Sequence, residues 1–254
     1  MCIILFAWQS HPRYPLLVAA NRDEFHHRPA EAARWRGGVF CGLDLSAGGT
    51  WLGVTREGRF AAVTNFREPV AERVSDAARS RGDLPLHFLQ GRETPSDYAA
   101  RIAEQQDAYR PFNLLVGDGD QLWYLSNRGA APQPVAPGVH GLSNGLLDTP
   151  WPKVTRGKEK LAHVGQGEAR PEHLLALLHD DWRPEDDHLP DTGVGPELER
   201  LVAPIFIRSP QYGTRASSAV RLGLDGEVTL LEQGWQPDGT PQGAPRDSRE
   251  GKRV

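Results

Sequence analysis

The sequence predicts an α+β fold in which paired strands at both ends of the chain enclose helical segments. Short β-branched and aromatic runs dominate residues 2–66, helical spacing of apolar residues follows, and strand patterns return by residue 214. The alternation is not the strict β-α-β order of a doubly wound sheet, and no glycine-rich phosphate loop accompanies it. We therefore expect a layered α+β protein.

The amino-terminal region is predicted to begin with a hairpin. Residues 2–8 are Cys-Ile-Ile-Leu-Phe-Ala-Trp, prolines interrupt the pattern between 11 and 15, and residues 16–20 form a second apolar run. The tetrad Asn21-Arg22-Asp23-Glu24 comes directly at the end of this second strand. Further strands are predicted over residues 39–43, 51–55 and 59–66.

The rest of the chain mixes helices with hairpins. Helices are predicted over residues 83–90, 96–106, 151–164 and 171–181. Strands are predicted over residues 112–117, 121–126, 139–143, 214–222 and 227–233, with tight turns at Asp118-Gly119-Asp120 and Asp225-Gly226. Proline, glycine, glutamine and charged residues dominate the remaining residues 235–254. We expect a single domain over residues 1–234 and a disordered tail over residues 235–254.

Composition excludes several classes of protein. The chain has 254 residues, enough for a substantial core, and its net charge of −4 lacks the basic excess of nucleic-acid-binding proteins. No apolar run approaches the roughly 20 residues of a membrane-spanning helix, and residues 2–8 are too short for a signal peptide. Cys2 and Cys41 do not make a disulfide framework. We expect a cytoplasmic protein with neither a nucleic-acid partner nor an integral membrane segment.

Cys2 is the first candidate for a catalytic residue. Removal of the initiator Met1, which is usual before a small side chain, leaves a thiol and a free α-amine on one residue. An α-amine titrates near about 7.7–8.0 and a thiol near about 8.5, so the amine can act as base for its own thiol. The alternative is a small apolar residue that begins a buried strand. The position of Cys2 in the sequence, taken alone, favours this structural alternative over a catalytic role.

The polar tetrad at residues 21–24 is the second candidate. In an antiparallel hairpin the end of the second strand lies beside the start of the first, so we expect the tetrad near Cys2. An arginine there lowers the thiol pKa, and a carboxylate orients the α-amine or accepts its proton. The alternative is a charged turn whose salt bridges are satisfied internally. The expected proximity to Cys2 makes the two interpretations equally strong.

A series of short motifs is spread along the chain. In order they are Met1-Cys2, Ala20-Asn21-Arg22-Asp23-Glu24, Gly49-Thr50-Trp51-Leu52-Gly53, Thr64-Asn65-Phe66-Arg67, Leu142-Ser143-Asn144, Thr149-Pro150-Trp151-Pro152-Lys153 and Tyr212-Gly213-Thr214-Arg215. Together they resemble the NRDE family, which includes the transport-and-Golgi-organisation proteins. The resemblance implies a four-layer αββα sandwich of the N-terminal-nucleophile (Ntn) hydrolase type.

A more distant resemblance links the first two motifs to choloylglycine-type acylases, which cleave amide bonds with a cysteine nucleophile. It implies that Cys2 is the nucleophile. Asn21 stands where the acylase arginine would fall, and Arg22 is one place along. The acid is then Asp23 or Glu24.

The later motifs supply the remaining residues that this resemblance implies for the site. Asn144 resembles a donor to an oxyanion or carbonyl, and Arg215 resembles the C-terminal active-site arginine. Asn65 resembles part of a second donor loop, with a turn residue as the alternative. The predicted catalytic set is thus Cys2, Asn21, Arg22, Asp23, Asn65, Asn144 and Arg215.

Two function hypotheses follow. The first is a cysteine-nucleophile amidohydrolase or acyltransferase that acts on a small acyl or amide compound and requires no cofactor. The second, implied by the family resemblance, is a non-catalytic haem or lipid binding and trafficking protein. Haem would bind non-covalently because no C-x-x-C-H motif is present, with its propionates at Arg22 or Arg215. No metal site is predicted, since His26 and His27 are adjacent and no H-x-x-x-H spacing occurs.

Two other features are expected to be structural. Arg67, Arg73, Arg79 and Arg81 bracket a loop that is predicted to form a solvated surface, with attraction of an anionic ligand as the alternative. Gly48-Gly49-Thr50-Trp51 is predicted to form a tight turn, and a place for Trp51 at the rim of a pocket is the less favoured interpretation.

Overall fold

The computed structural model describes residues 2–69 and 79–250, which form two antiparallel β-sheets with helices on their outer faces. The strands are β1 Cys2–Trp8, β2 Leu16–Phe25, β3 Ala30–Arg36, β4 Val39–Asp44, β5 Leu52–Thr55, β6 Phe60–Asn65, β7 Phe112–Gly117, β8 Leu122–Ser126, β9 Gln133–Pro134, β10 Gly138–Leu142, β11 Tyr212–Leu222, β12 Val228–Gly234 and β13 Arg246–Asp247. The helices are α1 Asp83–Gln90, α2 Pro95–Glu104, α3 Pro152–Val164, α4 Pro171–Leu177 and α5 Pro196–Val202. Met1 and Arg73 lie outside the described residues.

The strand order shows how the sheets are assembled. The first sheet has the order β10-β1-β2-β11-β12-β13, and the second has the order β3-β4-β5-β6-β7-β8-β9. The second sheet is a meander, because each of its strands pairs with the next along the chain. The first sheet instead gathers strands from both ends of the sequence, since β1 and β2 lie between β10 and β11. Sequence motifs that are far apart therefore meet in the first sheet.

Buried side chains of the described residues form three clusters that define the layers. One cluster, which includes Ile4 and Phe60, fills the space between the sheets. A second cluster includes Phe88 and covers the outer face of the second sheet with α1 and α2. The third includes Leu5 and Leu161 and covers the outer face of the first sheet with α3 and α4. The order helix, sheet, sheet, helix confirms the predicted αββα sandwich.

The first strand is apolar at every position because both of its faces are covered. All seven of its residues are buried. Ile4 belongs to the cluster between the sheets, whereas Ile3 and Leu5 belong to the cluster under the helices. A strand buried on both faces has a continuous apolar run rather than an alternating one. The short run at residues 2–8 is therefore correctly interpreted as a central strand.

The helices are short and lie close to the sheets. The longest described helix, α3, has 13 residues, and at Gly157 a Cβ atom would stand only 2.6 Å from Leu5 Cδ1. Glycine at this position therefore lets the helix approach the first strand closely. Within residues 2–69 and 79–250, no helix combines the length and apolar character needed to cross a membrane.

The second strand is longer than predicted. It extends through Phe25, so the polar tetrad lies inside the strand and not after it. Asn21 and Asp23 are buried in this part of the strand. They pair in register with Ser217 and Thr214 of β11, whose hydroxyl groups donate hydrogen bonds to them. Because these partners satisfy the polar side chains, the tetrad does not end the strand.

Besides the two-residue strands β9 and β13, two elements of this structure have no counterpart in the predicted set. β3 has the sequence Ala-Glu-Ala-Ala-Arg-Trp-Arg and forms one edge of the second sheet with several exposed side chains. α5 has only seven residues and follows Gly195, which has a positive φ of 88°. Both elements have weak apolar periodicity because much of their surface remains exposed.

The segment after β12 differs from the predicted disordered tail. Trp235 forms a bridge with Pro241, and β13 pairs with β12. Ser248 is buried, and its hydroxyl accepts a hydrogen bond from the Leu230 amide at 2.8 Å. These hydrogen bonds satisfy backbone groups along the edge of the first sheet, which explains the order of a segment that has few apolar residues. The prediction of disorder is therefore wrong for residues 235–250, and residues 251–254 lie outside the described residues.

Candidate functional site

The register of the first hairpin places the start of β1 beside the end of β2. Cys2 pairs directly with Arg22, and Ile3 pairs with Asn21. Directly opposed residues of an antiparallel pair project from the same face of the sheet. The predicted proximity of the tetrad to Cys2 is therefore confirmed, with Arg22 as the immediate neighbour.

A cleft with a volume of about 320 Å³ lies at this end of the sandwich and is lined from both sheets. The first sheet contributes Cys2, Arg22 and Arg215, and the second contributes Asp44 and Asn65. Other lining residues are Asp23, Glu24, Arg28, Thr50, Trp51, Arg79, Arg81, Arg110 and Glu232. A thiol at the wall of a cleft with convergent polar groups is typical of a ligand-binding or catalytic site.

Asn21 belongs to the predicted catalytic set but does not line this cleft. Its Nδ2 donates hydrogen bonds to the carbonyl oxygens of Leu178 at 3.2 Å and Ile205 at 2.9 Å. Its Oδ1 accepts a hydrogen bond from Ser217 Oγ at 2.6 Å. The side chain is fully buried and ties the first sheet to the chain segments that cover it. The structure therefore places Asn21 as a fixed support for β2.

Arg22 faces the cleft within a group of ion pairs. Its Nη2 lies 3.1 Å from Asp44 Oδ2, and Arg28 Nε lies 2.7 Å from the same oxygen. Glu24 is 3.9 Å from Arg22 and 3.8 Å from Arg28. Although burial opposes ionisation, hydrogen bonds from Arg28 and two backbone amides hold the pKa of Asp44 below its usual value. The charge of Arg22 is thus largely balanced by carboxylates.

The surroundings of the Cys2 thiol favour its protonated form. Burial raises its pKa, and the nearby Asp23 charge acts in the same direction, while the terminal amino charge and Arg22 oppose them. The Cys2 carbonyl also accepts a hydrogen bond from Ser143 Oγ at 3.0 Å, which ties the strand to the segment after β10. A thiol in this state needs a proton acceptor before it can act as a nucleophile.

Asp23 is the buried acid of the tetrad. Burial raises its pKa to about 6, opposed by the terminal amino charge, by Lys153 and by a hydrogen bond from Thr214. The Thr214 hydroxyl donates to Asp23 Oδ1 at 2.7 Å. Glu24 instead accepts from the Phe25 amide and reaches the arginines of the cleft. Of the two carboxylates left open by the sequence, Asp23 is the one that is buried.

The structure brings Asn65 and Asn144 together. Asn144 Nδ2 donates a hydrogen bond to the Asn65 carbonyl oxygen at 2.7 Å, and Ser143 Oγ donates to Asn144 Oδ1 at 3.3 Å. Asn65 lines the cleft, whereas Asn144 is buried and lies outside the set of lining residues. In this structure one of the two Asn144 amide hydrogens is therefore committed to a backbone carbonyl.

Arg215 lies at an irregularity in β11 and lines the cleft. The register between β11 and β2 shifts between Thr214 and Ala216. Arg215 Nη1 donates hydrogen bonds to the carbonyl oxygens of Phe25, His26 and Arg28 at 2.9, 3.1 and 3.2 Å. Burial lowers the pKa of its guanidinium. Arg215 thus holds the turn that follows β2.

The expectation of a solvated surface at Arg67 and Arg81 is wrong. Arg67 is buried and pairs with Glu199. Arg81 lines the cleft, and its Nη1 donates to the Pro111 carbonyl at 3.0 Å. Burial and the Arg110 charge lower the Arg81 pKa, against the opposing influence of Cys2 and other groups. Arg81 is therefore a charged wall of the cleft, a position that suits the alternative interpretation, attraction of an anionic ligand.

The glycine pair Gly48-Gly49 indicates a close backbone approach next to Arg81. A Cβ atom on Gly49 would lie 2.4 Å from the carbonyl carbon of Gly82, and Gly49 has a positive φ of 75°. The Gly48-Gly49-Thr50-Trp51 turn therefore packs tightly against the residue that follows Arg81. Trp51 also lines the cleft, which is the less favoured of its two interpretations from sequence.

The described residues contain no group of three or more His, Cys, Asp or Glu side chains that could hold a metal ion. Haem iron is held in proteins by His, Cys, Met or Tyr. Among the described residues that line the cleft, Cys2 alone is of these types. Arg22 and Arg215, the residues expected to meet haem propionates, are engaged with Asp44 and with backbone carbonyls. This donor set fits haem poorly.

Comparison with solved structures identifies the fold. The chain is similar to a mutant conjugated bile acid hydrolase from Clostridium perfringens, with a TM-score of 0.52 and 9% identity over 100% of this chain and 94% of that one. That likeness concerns the fold alone, and with the αββα layers it gives the Ntn-hydrolase type that the resemblance implied.

Comparison with sequences identifies the family. The family model "Transport and Golgi organisation 2" matches residues 1–237. The chain is 38% identical over 262 residues to the Transport and Golgi organization protein 2 homolog of Bos taurus, with 92% of each chain covered. It is 37% identical over 259 residues to the homolog of Homo sapiens, again with 92% of each covered. The chain therefore belongs to the Transport and Golgi organisation 2 family.

Proposed function

We propose that this protein is a cysteine-nucleophile amidohydrolase or acyltransferase that acts on a small acyl or amide compound. The observation that carries the proposal is the position of the Cys2 thiol, at the wall of the cleft and beside buried Asp23. Loss of Met1 places an α-amine on Cys2 itself. A thiol, an amine and a carboxylate at one place are the parts that an N-terminal nucleophile needs. A reducing compartment such as the cytoplasm suits the proposal, because the thiol must stay reduced.

The chemistry proceeds by transfer of the acyl group to Cys2. Loss of Met1 leaves the α-amine on Cys2, and this amine accepts the thiol proton. The thiolate forms a bond to the acyl carbonyl carbon, the bond from carbon to the leaving nitrogen breaks, and the amine returns the proton to that nitrogen. Water then hydrolyses the thioester, or an acceptor nucleophile takes the acyl group. Asp23 binds the α-ammonium, and Asn65 donates to the oxyanion from the cleft wall.

The test compares Cys2→Ala with Cys41→Ala on a panel of small N-acyl amides that release a chromogenic amine. We expect Cys2→Ala to lower turnover by at least about a thousandfold, because no other group replaces the nucleophile. Cys41 is buried in β4 and does not line the cleft, so Cys41→Ala is the matched control and keeps its activity. Intact mass measures whether Met1 is removed. Turnover that survives in Cys2→Ala, or in protein that retains Met1, contradicts the proposal.

A second candidate function is non-catalytic binding of haem or a lipid on the same scaffold. One observation favours it over chemistry: the Asn144 amide donates to the Asn65 carbonyl and does not line the cleft. The poor fit of the donor set makes haem the weaker form of this alternative. A titration of the purified protein with haem, followed at the Soret band, tests it, and an unchanged band removes haem as a ligand.

A further inference from the structure

Lys153 is a buried cation that the proposed chemistry does not yet use. It lies in the first turn of α3, and only 3% of its surface is exposed. Its Nζ donates a hydrogen bond to the Val202 carbonyl oxygen at 2.8 Å, at the end of α5. Lysine is almost never fully buried unless its charge is paired. A buried ammonium in this position therefore requires a nearby anion.

Glu199 is one anion in this region, but other groups already engage it. Arg67 forms an ion pair with it, and the side chains of both residues are 5% exposed. The amide and hydroxyl groups of Thr192 also donate hydrogen bonds to Glu199. The Arg67 guanidinium lies over the Trp151 ring at 4.7 Å. Glu199 is thus matched mainly with Arg67, and the charge of Lys153 needs a second carboxylate.

Asp23 is a buried carboxylate on the side of the first sheet that α3 covers. It lies on the same face of β2 as Asn21, Ala19 and Leu17, and this face is covered by the cluster that includes α3. A pairing of Lys153 with Asp23, beside the ion pair of Arg67 with Glu199, would leave the region neutral. Compensation of this kind is what a buried charge requires.

The charges of the two groups act on each other. Burial lowers the pKa of Lys153 to about 8, and the Arg67 charge lowers it further. Asp23 is the strongest opposing influence, and Cys2 and Glu199 also raise this pKa. Burial raises the pKa of Asp23 to about 6, and the terminal amino charge, Lys153 and Arg22 oppose it. Tyr212, whose hydroxyl donates to the Asp23 carbonyl at 3.0 Å, is a further titratable neighbour.

We propose that Lys153 is a positioning residue of the reaction, whose buried ammonium holds Asp23 as the carboxylate that binds the α-ammonium of Cys2. The proposal rests on the proposed function. Lys153 lies under the sheet, does not line the cleft and does not touch the substrate. Its effect on the thiol is electrostatic, because the positive charge stabilises both the Asp23 carboxylate and the Cys2 thiolate.

The experiment measures the rate of Cys2 alkylation by iodoacetamide against pH, in a Cys41→Ala background. Lys153→Met keeps the length of the side chain and removes its charge, and Lys153→Arg keeps the charge. We expect the midpoint of the alkylation profile in Lys153→Met to rise by about one pH unit, so that the rate at pH 7 falls about tenfold. Lys153→Arg should restore the midpoint. In an Asp23→Asn background, the shift caused by Lys153→Met should shrink.

Two results would overturn the proposal. One is an unchanged midpoint in a Lys153→Met protein that circular dichroism shows to be folded. The other is a rate lowered equally at every pH, which is the signature of altered access and not of altered charge. If Lys153→Met does not fold, the wild-type Asp23 carboxyl ¹³C resonance answers the question. It should show a second inflection when Lys153 deprotonates, and a titration without that inflection excludes the coupling.

This measurement is independent of turnover, because alkylation needs no substrate. If the midpoint shifts but no amide is turned over, the electrostatic effect of Lys153 on the thiol is supported and the proposed reaction is contradicted. If turnover depends on Cys2 but the midpoint does not shift, the proposed reaction is supported and the role of Lys153 is contradicted.

Discussion

The side chains of the polar tetrad at residues 21–24 alternate between the two faces of β2, and the two faces have different surroundings. On the cleft face, Arg22 and Glu24 exchange ion pairs with partly exposed partners. The side chains of Asn21 and Asp23 alternate with these along the strand; they are buried and bound to fixed donors and acceptors, although Asp23 also borders the cleft. Strand alternation alone produces this division. The buried pair should therefore contribute more to the stability of the fold than the cleft pair.

The largest expected difference is in the free energy of unfolding of Asn21→Leu. The substitution leaves the carbonyl oxygens of Leu178 and Ile205 without their side-chain donor and removes the acceptor of Ser217 Oγ. Each unsatisfied buried group costs about 1–3 kcal/mol, so we expect a loss of about 3–5 kcal/mol. Urea unfolding measures it. A loss below about 1 kcal/mol would show that the two faces do not differ in this way.

The next effect is a dependence on pH that belongs to Asp23. Its pKa in the folded protein, about 6, lies above the ordinary value of 3.8, so the folded state binds the proton more tightly than the unfolded state. The stability associated with this proton is present below about pH 4 and is lost as the pH rises through 6.

Asp23→Asn removes this titration and is the variant to compare. Relative to Asp23→Asn, the wild-type protein should lose up to about 3 kcal/mol of unfolding free energy between pH 4 and pH 6. Urea titrations at several pH values measure the difference. Parallel stability curves for the two proteins across this window would contradict the prediction.

The smallest effect is expected for Arg22→Gln on the cleft face. Arg28 remains bound to Asp44 at 2.7 Å, so the carboxylate keeps a partner. The pairs of Arg22 are partly exposed, and such pairs contribute about 0–1 kcal/mol. Urea unfolding of Arg22→Gln should therefore differ from the wild-type protein by less than about 1 kcal/mol. A cost as large as that of Asn21→Leu would remove the distinction between the faces.

Local patterns predicted the parts of the site that depend on neighbouring sequence. The apolar runs at residues 2–8 and 16–20 predicted the hairpin, and the hairpin predicted that the tetrad lies near Cys2, where the register places Arg22. The face to which each tetrad residue points depends instead on whether the strand continues. Polar residues after an apolar run indicate a strand end, and only the hydroxyls of β11 show that β2 extends through Phe25.

Distant contacts explain what the sequence could not reveal. The partners of Asn21 are carbonyl groups of Leu178 and Ile205, 157 and 184 residues away. The burial of Lys153 depends on α5, a helix whose short and polar sequence has no clear apolar period. The motifs identified the family and part of the lining of the cleft. Only the structure shows which of these residues face the cleft and which are buried behind it.

The short strand β13 has a consequence for how the protein should be handled. The family model ends at residue 237, yet Arg246 and Asp247 pair with β12 and Ser248 binds Leu230. A chain cut at the family boundary would leave the outer edge of β12 with unpaired amide and carbonyl groups. Such an edge is a template for pairing between molecules. The last described residues thus cover part of the edge of β12, although they lie outside the segment that the family model matches.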